Sequence, residues 1–185
     1  EIGSGLVGSE MCIRDRFMKI IFLDVDGVLY PYHDRKFLTK KPEKIKKKLI
    51  RKDRIFKQAN ALELQLVYEG WNKQAVSYVK RLVEETDAKI VISSSWKYLR
   101  SLEDMKLLFK IYDLDSYVIG LTKDTADFLK ETQIEDYLQH HKEIEKYVVI
   151  DDLDLRKAFP EHCVVCPDVF TLDCYEEAVK ILGKK

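Results

Sequence analysis

Lys19-Ile20-Ile21-Phe22-Leu23-Asp24-Val25-Asp26-Gly27-Val28-Leu29 is the stretch on which the reading of this chain turns. The apolar run from Ile20 to Leu23 stops at a carboxylate, and a second carboxylate follows Val25. A continuous apolar run of this length, cut off by a glycine, reads as a buried strand of a parallel sheet. Two acids at the end of such a strand are costly unless a cation, a phosphoryl group or both offset them. Side chains two apart on a strand share a side, so Asp24 and Asp26 are expected to face together. Gly27 lets the chain turn sharply just beyond them. Taken alone, the pattern also fits a strand end with two solvated aspartates.

Working outward, the 3.6-residue spacing of Ala75, Val76, Val79, Leu82 and Val83 predicts a helix capped by Asn72 and ended near Asp87. Lys89 to Ile92 reads as a second buried strand running into Ser93-Ser94-Ser95-Trp96. Ser101 and Asp104 are spaced as a capping box for a helix reaching about Tyr112. Tyr117 to Ile119 reads as a strand, and Phe128, Leu129, Ile134, Tyr137 and Leu138 mark a helical region. Tyr147 to Ile150 is a strand ending in Asp151-Asp152-Leu153-Asp154. Cys163 to Cys166 reads as the last strand, and Thr171 or Asp173 caps the last helix. Strands alternating with helices give an α/β class with a parallel sheet. Ligands of such sheets sit at the carboxyl ends of the strands, where three polar clusters (Asp24/Asp26, Ser93 to Ser95, Asp151/Asp152/Asp154) are expected to converge.

Residues 31–70 interrupt this alternation and read as an insertion over the end of the first strand. Pro42 fits the first turn of a helix with a thin apolar stripe, Ile45, Leu49 and Phe56, among mostly basic residues. Leu62, Leu64 and Leu66 alternate with Glu63 and Gln65 and suggest a short half-buried strand. Arg35 to Lys57 holds twelve Lys or Arg and two acids, a net of +10 in a chain of formal charge zero, so the remainder carries −10. One basic segment on an acidic body could act as a small cap that steers an anionic substrate or contacts nucleic-acid phosphates; a solvated charged face is the plain alternative.

The length of 185 residues favours a single domain, 18–185, with a sizeable core. No run of 18 apolar residues is present, so no membrane partner is expected. Four cysteines make no disulfide framework, and a reducing, cytoplasmic setting is expected. Cys163 and Cys166 would face opposite sides of their strand, which suits the core rather than chelation. Met11-Cys12-Ile13-Arg14-Asp15-Arg16 looks like a translated transposon-derived sequencing adapter, so residues 1–17 are expected to be a non-native leader and Met18 the start.

The order of the motifs resembles the haloacid dehalogenase (HAD) superfamily. Leu23-Asp24-Val25-Asp26-Gly27-Val28 is similar to its first motif, Ile90-Val91-Ile92-Ser93 to its second, and Val148-Val149-Ile150-Asp151-Asp152 to its fourth. Ser94-Ser95-Trp96-Lys97 and the spacing from Ile134 to Asp152 resemble, more narrowly, the HAD domains of Swiss Army Knife RNA repair proteins. The resemblance implies a Rossmann-like three-layer fold and a Mg²⁺-dependent phosphomonoester hydrolase. It implies Asp24 as nucleophile, forming an aspartyl-phosphate, and Asp26 as general acid and base. Mg²⁺ would be held by Asp24, the backbone carbonyl of Asp26 and Asp152, with Asp151 a supporting or alternate ligand. Ser93 would offer its hydroxyl and N–H to the phosphoryl oxygens, with Ser94 the competitor.

The resemblance also calls for a lysine ahead of the fourth motif. Lys130 fits the spacing best, Lys123 is the runner-up, and Lys142 lies close to the strand. Trp96 reads as core more readily than as a substrate platform. The substrate is expected to be a phosphorylated small molecule or a nucleic-acid end. A HAD-like domain kept as a silent nucleic-acid-binding or interaction module is the alternative, and the intact Asp24/Asp26 pair argues against it.

Overall fold

The computed structural model of the chain describes residues 17–33, 38 and 40–184. Nearly all of the expected leader, and the basic residues Arg35 and Lys36, lie outside them. The strands are β1 (Met18–Leu23), β2 (Lys89–Ile92), β3 (Val118–Leu121), β4 (Ile144–Asp151) and β5 (Cys163–Val165). The helices are α1 (Pro42–Lys52), α2 (Ala61–Gly70), α3 (Lys73–Thr86), α4 (Leu102–Phe109), α5 (Lys130–His140) and α6 (Leu172–Leu182). Among the described residues the strands form one sheet in the order β3-β2-β1-β4-β5, with every pair parallel. Neighbours β1 and β4 belong to halves of the chain that run in opposite directions across the sheet. The crevice past their carboxyl ends is therefore where such a sheet binds ligands.

Strand alternation divides the core. Ile21, Leu23, Ile90, Ile92, Val148 and Ile150 face a large cluster with buried residues of α1 to α4 and α6. Ile20, Phe22, Val91, Val149 and Cys163 face a smaller cluster with Ile134 of α5, Leu155 and Phe159. Continuing that parity past the strand ends puts residues 24, 93 and 151 toward α5. Cys163 and Cys166 are buried in opposite clusters, as the strand pattern requires.

Three helix ends form as their residues dictate. The Asn72 side chain accepts from the N–H groups of Gln74 and Ala75. Ser101 and Asp104 make a reciprocal capping box, and Thr171 accepts from Cys174 N–H. Asp87 closes α3 in the left-handed region at φ 62°, where a short polar side chain is tolerated.

Residues 61–70 depart from the expected strand. Leu64 and Val67 are buried and Leu62 is exposed, a helical spacing that continues to Trp71. Five alternating residues cannot separate the two periods, and the deciding signal is Asn60, whose side chain accepts from Leu62 and Glu63 N–H. The apolar stripe is likewise not merely superficial: Ile45 and Leu49 of α1, and Phe56 in the 3₁₀ turn that follows it, are buried in the large cluster. The described part of 31–70 thus packs on the sheet's own core.

Candidate active site

Asp24 follows β1 directly and keeps the sheet register, its N–H donating to Ile150 O at 3.0 Å. Its Oδ1 accepts from Val25 N–H at 2.8 Å. Lys130, the first residue of α5, donates from Nζ to Asp24 Oδ2 at 3.0 Å and to Asp151 Oδ2 at 2.6 Å. Asp151 is fully buried at the end of β4, and its Oδ1 accepts from Leu153 N–H at 3.0 Å. Oxygens of Asp24, Asp151 and Asp152 lie within 4.8 Å of one another.

This concentration of charge sets the titration of the group. Burial pushes the Asp151 carboxyl up to about 7; the Asp24 charge adds to the rise, and Lys130 opposes it. Burial and Asp24 also raise Asp152. Burial works against the Lys130 charge, but Asp151 and Asp24 outweigh it and hold the ammonium above its ordinary value. Three carboxylates and one lysine leave an excess of negative charge that a hard divalent cation would neutralise. Mg²⁺ prefers oxygen ligands at about 2.1 Å with few carboxylates, and this donor set fits it.

Asp26 lies across the turn from this cluster. Gly27 makes the turn at φ +71°, and a Cβ there would come within 2.6 Å of Asp152 Cβ and 2.9 Å of the Tyr32 ring. Glycine is required by both the conformation and the close approach. Asp26 Oδ2 accepts from the indole N–H of Trp96 at 2.9 Å. A cavity of about 250 Å³ collects Asp24, Asp26, Ser93, Ser95, Lys97, Lys130 and Asp152, with Tyr32, Tyr98 and Phe128 on its walls. A larger depression of about 490 Å³ lies by the start of β3, where Lys106 and Lys110 are paired with Glu103 and Asp115. Among the described residues no comparable group of acids converges there.

The serines part company. Ser93 is 2% exposed, lines the cavity, and its Oγ is buried with no hydrogen-bond partner among the described residues. Its N–H, expected to point to a ligand, instead donates to Leu23 O at 3.0 Å. The β1–β2 ladder continues one residue past the strands and consumes that donor. Ser94 is not brought to the cavity: it is fully buried and its Oγ accepts from Trp96 N–H at 3.4 Å, capping a short 3₁₀ turn. The strand ends at Ile92, so side-chain alternation gives Ser93 the cavity and turns Ser94 away.

The lysine candidates separate as sharply. Lys123 is exposed and does not line the cavity. Lys142 precedes β4, at the opposite end of the strand from Asp151. Asp154 is exposed and paired with Arg156 at 2.5 Å, and His140 pairs with Asp136 on the surface. Among the described residues of 31–70, only Tyr32 lines the cavity.

Sequence reasoning missed two residues. Lys97 has a side chain only 5% exposed, and its Nζ is within 3.0 Å of Asp124 Oδ1 while donating to Thr122 O and Gln133 Oε1. It places a fixed positive charge in the cavity wall. Trp96 belongs to the core as expected, but its polar edge reaches Asp26. Its position directly after the serine cluster was the available signal, since a buried indole N–H usually finds a partner.

Residues 20–172 match a family described as the HAD domain in Swiss Army Knife RNA repair proteins. The chain is also similar to a haloacid dehalogenase-like family hydrolase from Streptococcus pneumoniae at 14% identity. That alignment covers 80% of this chain and 81% of the other, and its TM-score of 0.42 is too low to carry an argument. No curated protein matches the chain.

Proposed function

The chain belongs to the HAD domain family of Swiss Army Knife RNA repair proteins, and from that premise we propose that it hydrolyses phosphomonoesters with Mg²⁺. The observation that carries the reading is one cavity joining Asp24, Lys130 and Asp152 to Asp26 and to the unpartnered Ser93 Oγ. A buried hydroxyl without a partner is costly, and a phosphoryl oxygen would satisfy it.

In this reading a carboxylate oxygen of Asp24 attacks phosphorus, the bond from phosphorus to the leaving oxygen breaks, and Asp26 protonates that oxygen. Asp26 then takes a proton from water as the water attacks phosphorus, and the Asp24–phosphorus bond breaks. Asp24, Asp152 and the Asp26 carbonyl would hold Mg²⁺, which when bound neutralises the phosphoryl oxygens. Lys130 orients Asp24 and spans it to Asp151, which acts as its anchor. The Ser93 hydroxyl offers a further contact to the phosphoryl group, and Lys97, whose donors are held by Thr122, Gln133 and Asp124, contributes its charge from the wall.

The cavity rim supports a nucleotide or a polynucleotide end as substrate. Tyr32, Tyr98 and Phe128 line the cavity while remaining 45%, 51% and 68% exposed. Phe128 is held at φ 56°, a conformation unusual for a bulky residue and found where structure fixes a site. Such rings stack on bases.

Hydrolysis of a generic aryl phosphate with Mg²⁺ tests the reaction. Wild type should turn over and Asp24→Asn should lose essentially all activity, on the order of 10³-fold or more given how much a nucleophile contributes. Equal inactivity of both proteins across a phosphatase panel would overturn the reading in favour of a silent binding module.

A further inference from the structure

We infer that Trp96 is a positioning residue for Asp26, clamped by an ion pair that reaches back to α2. The inference rests on the hydrolase reading above and assigns work to residues outside the motifs that suggested it. The Trp96 indole N–H donates to Asp26 Oδ2 at 2.9 Å. That bond fixes one carboxylate oxygen and with it the plane of the carboxyl group. Asp26 lies beyond the end of β1, its backbone bridged to Tyr30, and the indole N–H sets the aim of its Oδ2.

Trp96 in turn is held on every side. Its ring is 8% exposed and lies 6.0 Å from the Trp71 ring at 56°. Trp71 packs edge-on to Phe109 at 4.9 Å and stacks on Tyr112 at 6.0 Å. Arg100 lies over the indole with its guanidinium carbon 4.5 Å from the ring centre, and it donates to Trp96 O at 3.3 Å. Arg100 Nε is 2.8 Å from Glu63 Oε1 on α2. The path Glu63–Arg100–Trp96–Asp26 therefore runs from α2 to the proposed proton donor. A cation over an indole face gains from desolvation, and the Arg100 side chain is 12% exposed. The segment 42–70 thus serves the site as a buttress behind the acid.

A mispositioned acid matters most when the leaving group needs a proton. An alkyl phosphate leaves as a basic alkoxide and depends on Asp26, whereas p-nitrophenyl phosphate leaves as a stable phenolate and does not. The test compares kcat/KM, which reports the step in which the leaving group departs and not the later water attack common to both esters, on these two substrates for wild type, Trp96→Phe and Asp26→Asn. A second variant replaces Trp96 with benzothienylalanine, which keeps the ring shape and removes the N–H.

Both Trp96 variants should lose roughly tenfold to a hundredfold on the alkyl ester and about threefold or less on the aryl ester. Asp26→Asn should show the same selectivity, more strongly. Arg100→Ala should reproduce a weaker version. Equal losses on both substrates, or no loss with benzothienylalanine, would reduce Trp96 to structural support and overturn the inference. Wild type inactive on both esters would instead bring down the hydrolase reading and this inference with it; wild type active with unselective Trp96 variants brings down the inference alone.

Discussion

Lys130 stands between two carboxylates, 3.0 Å from Asp24 and 2.6 Å from Asp151. Its side chain is 17% exposed and that of Asp151 is fully buried. Removing one partner of a buried pair leaves an uncompensated charge and costs about 3–5 kcal/mol. Lys130→Met keeps the side-chain length and discards the charge, so it should destabilise the protein by that order. Mg²⁺ at the Asp24/Asp151/Asp152 cluster would supply the missing positive charge, so urea unfolding of the variant should shift strongly with added Mg²⁺ while wild type shifts less. A deficit that Mg²⁺ does not reduce would mean that the cluster does not take the ion. Spacing before the fourth motif made Lys130 legible in the sequence. The spent N–H of Ser93 and the Trp96–Asp26 bond were not, because each depends on pairing across 70 residues that no local pattern encodes.

At the scale of elements, α2 is the part of the fold that the hydrophobic pattern misassigned, and its anchoring yields a pH prediction. Tyr112 donates from its hydroxyl to Val67 O at 3.1 Å and Tyr68 O at 3.3 Å near the end of α2, and stacks on Trp71. Burial, with a smaller contribution from Tyr68, pushes its phenol up to about 12. The folded value lies above the unfolded one near 10, so the folded state holds this proton more tightly. The associated stability is complete below pH 10 and is lost as pH rises from about 10 through about 12. The loss is at most about 2–3 kcal/mol, since each unit is about 1.4 kcal/mol. Tyr112→Phe should start about 1 kcal/mol less stable for want of the hydrogen bond and lack this component of the alkaline decline. Denaturant titrations at pH 9, 10 and 11 would expose it; parallel slopes for both proteins would exclude it. By contrast α3 was legible to the residue, because five apolar positions and an asparagine cap agree. For α2 the cap and the pattern disagreed, and the cap was right.

At the scale of the whole molecule, charge is divided rather than balanced. Residues 35–57 carry a net +10 and the remainder −10, a division legible from composition, although its placement was not. The segment's apolar residues dock on the core, while Lys41, Lys44 and Lys47 of the Pro42 helix and its approach stay exposed. None of the three lines the cavity. If the substrate is an RNA end, these lysines would meet backbone phosphates away from the scissile one. Neutralising one such lysine should reduce the salt dependence of single-strand binding by about 0.7 in the slope of log K against log salt. Binding of a phosphorylated oligoribonucleotide to Asp24→Asn, chosen to block turnover, should therefore weaken steeply with salt. Adding Lys41→Gln, Lys44→Gln and Lys47→Gln should lower that slope by about 2. The same three changes in an otherwise wild-type chain should leave hydrolysis of a small aryl phosphate unaltered, because the residues that would perform it all lie in the cavity. An unchanged slope would assign the basic segment to solvation and leave the substrate a free mononucleotide or another small phosphomonoester.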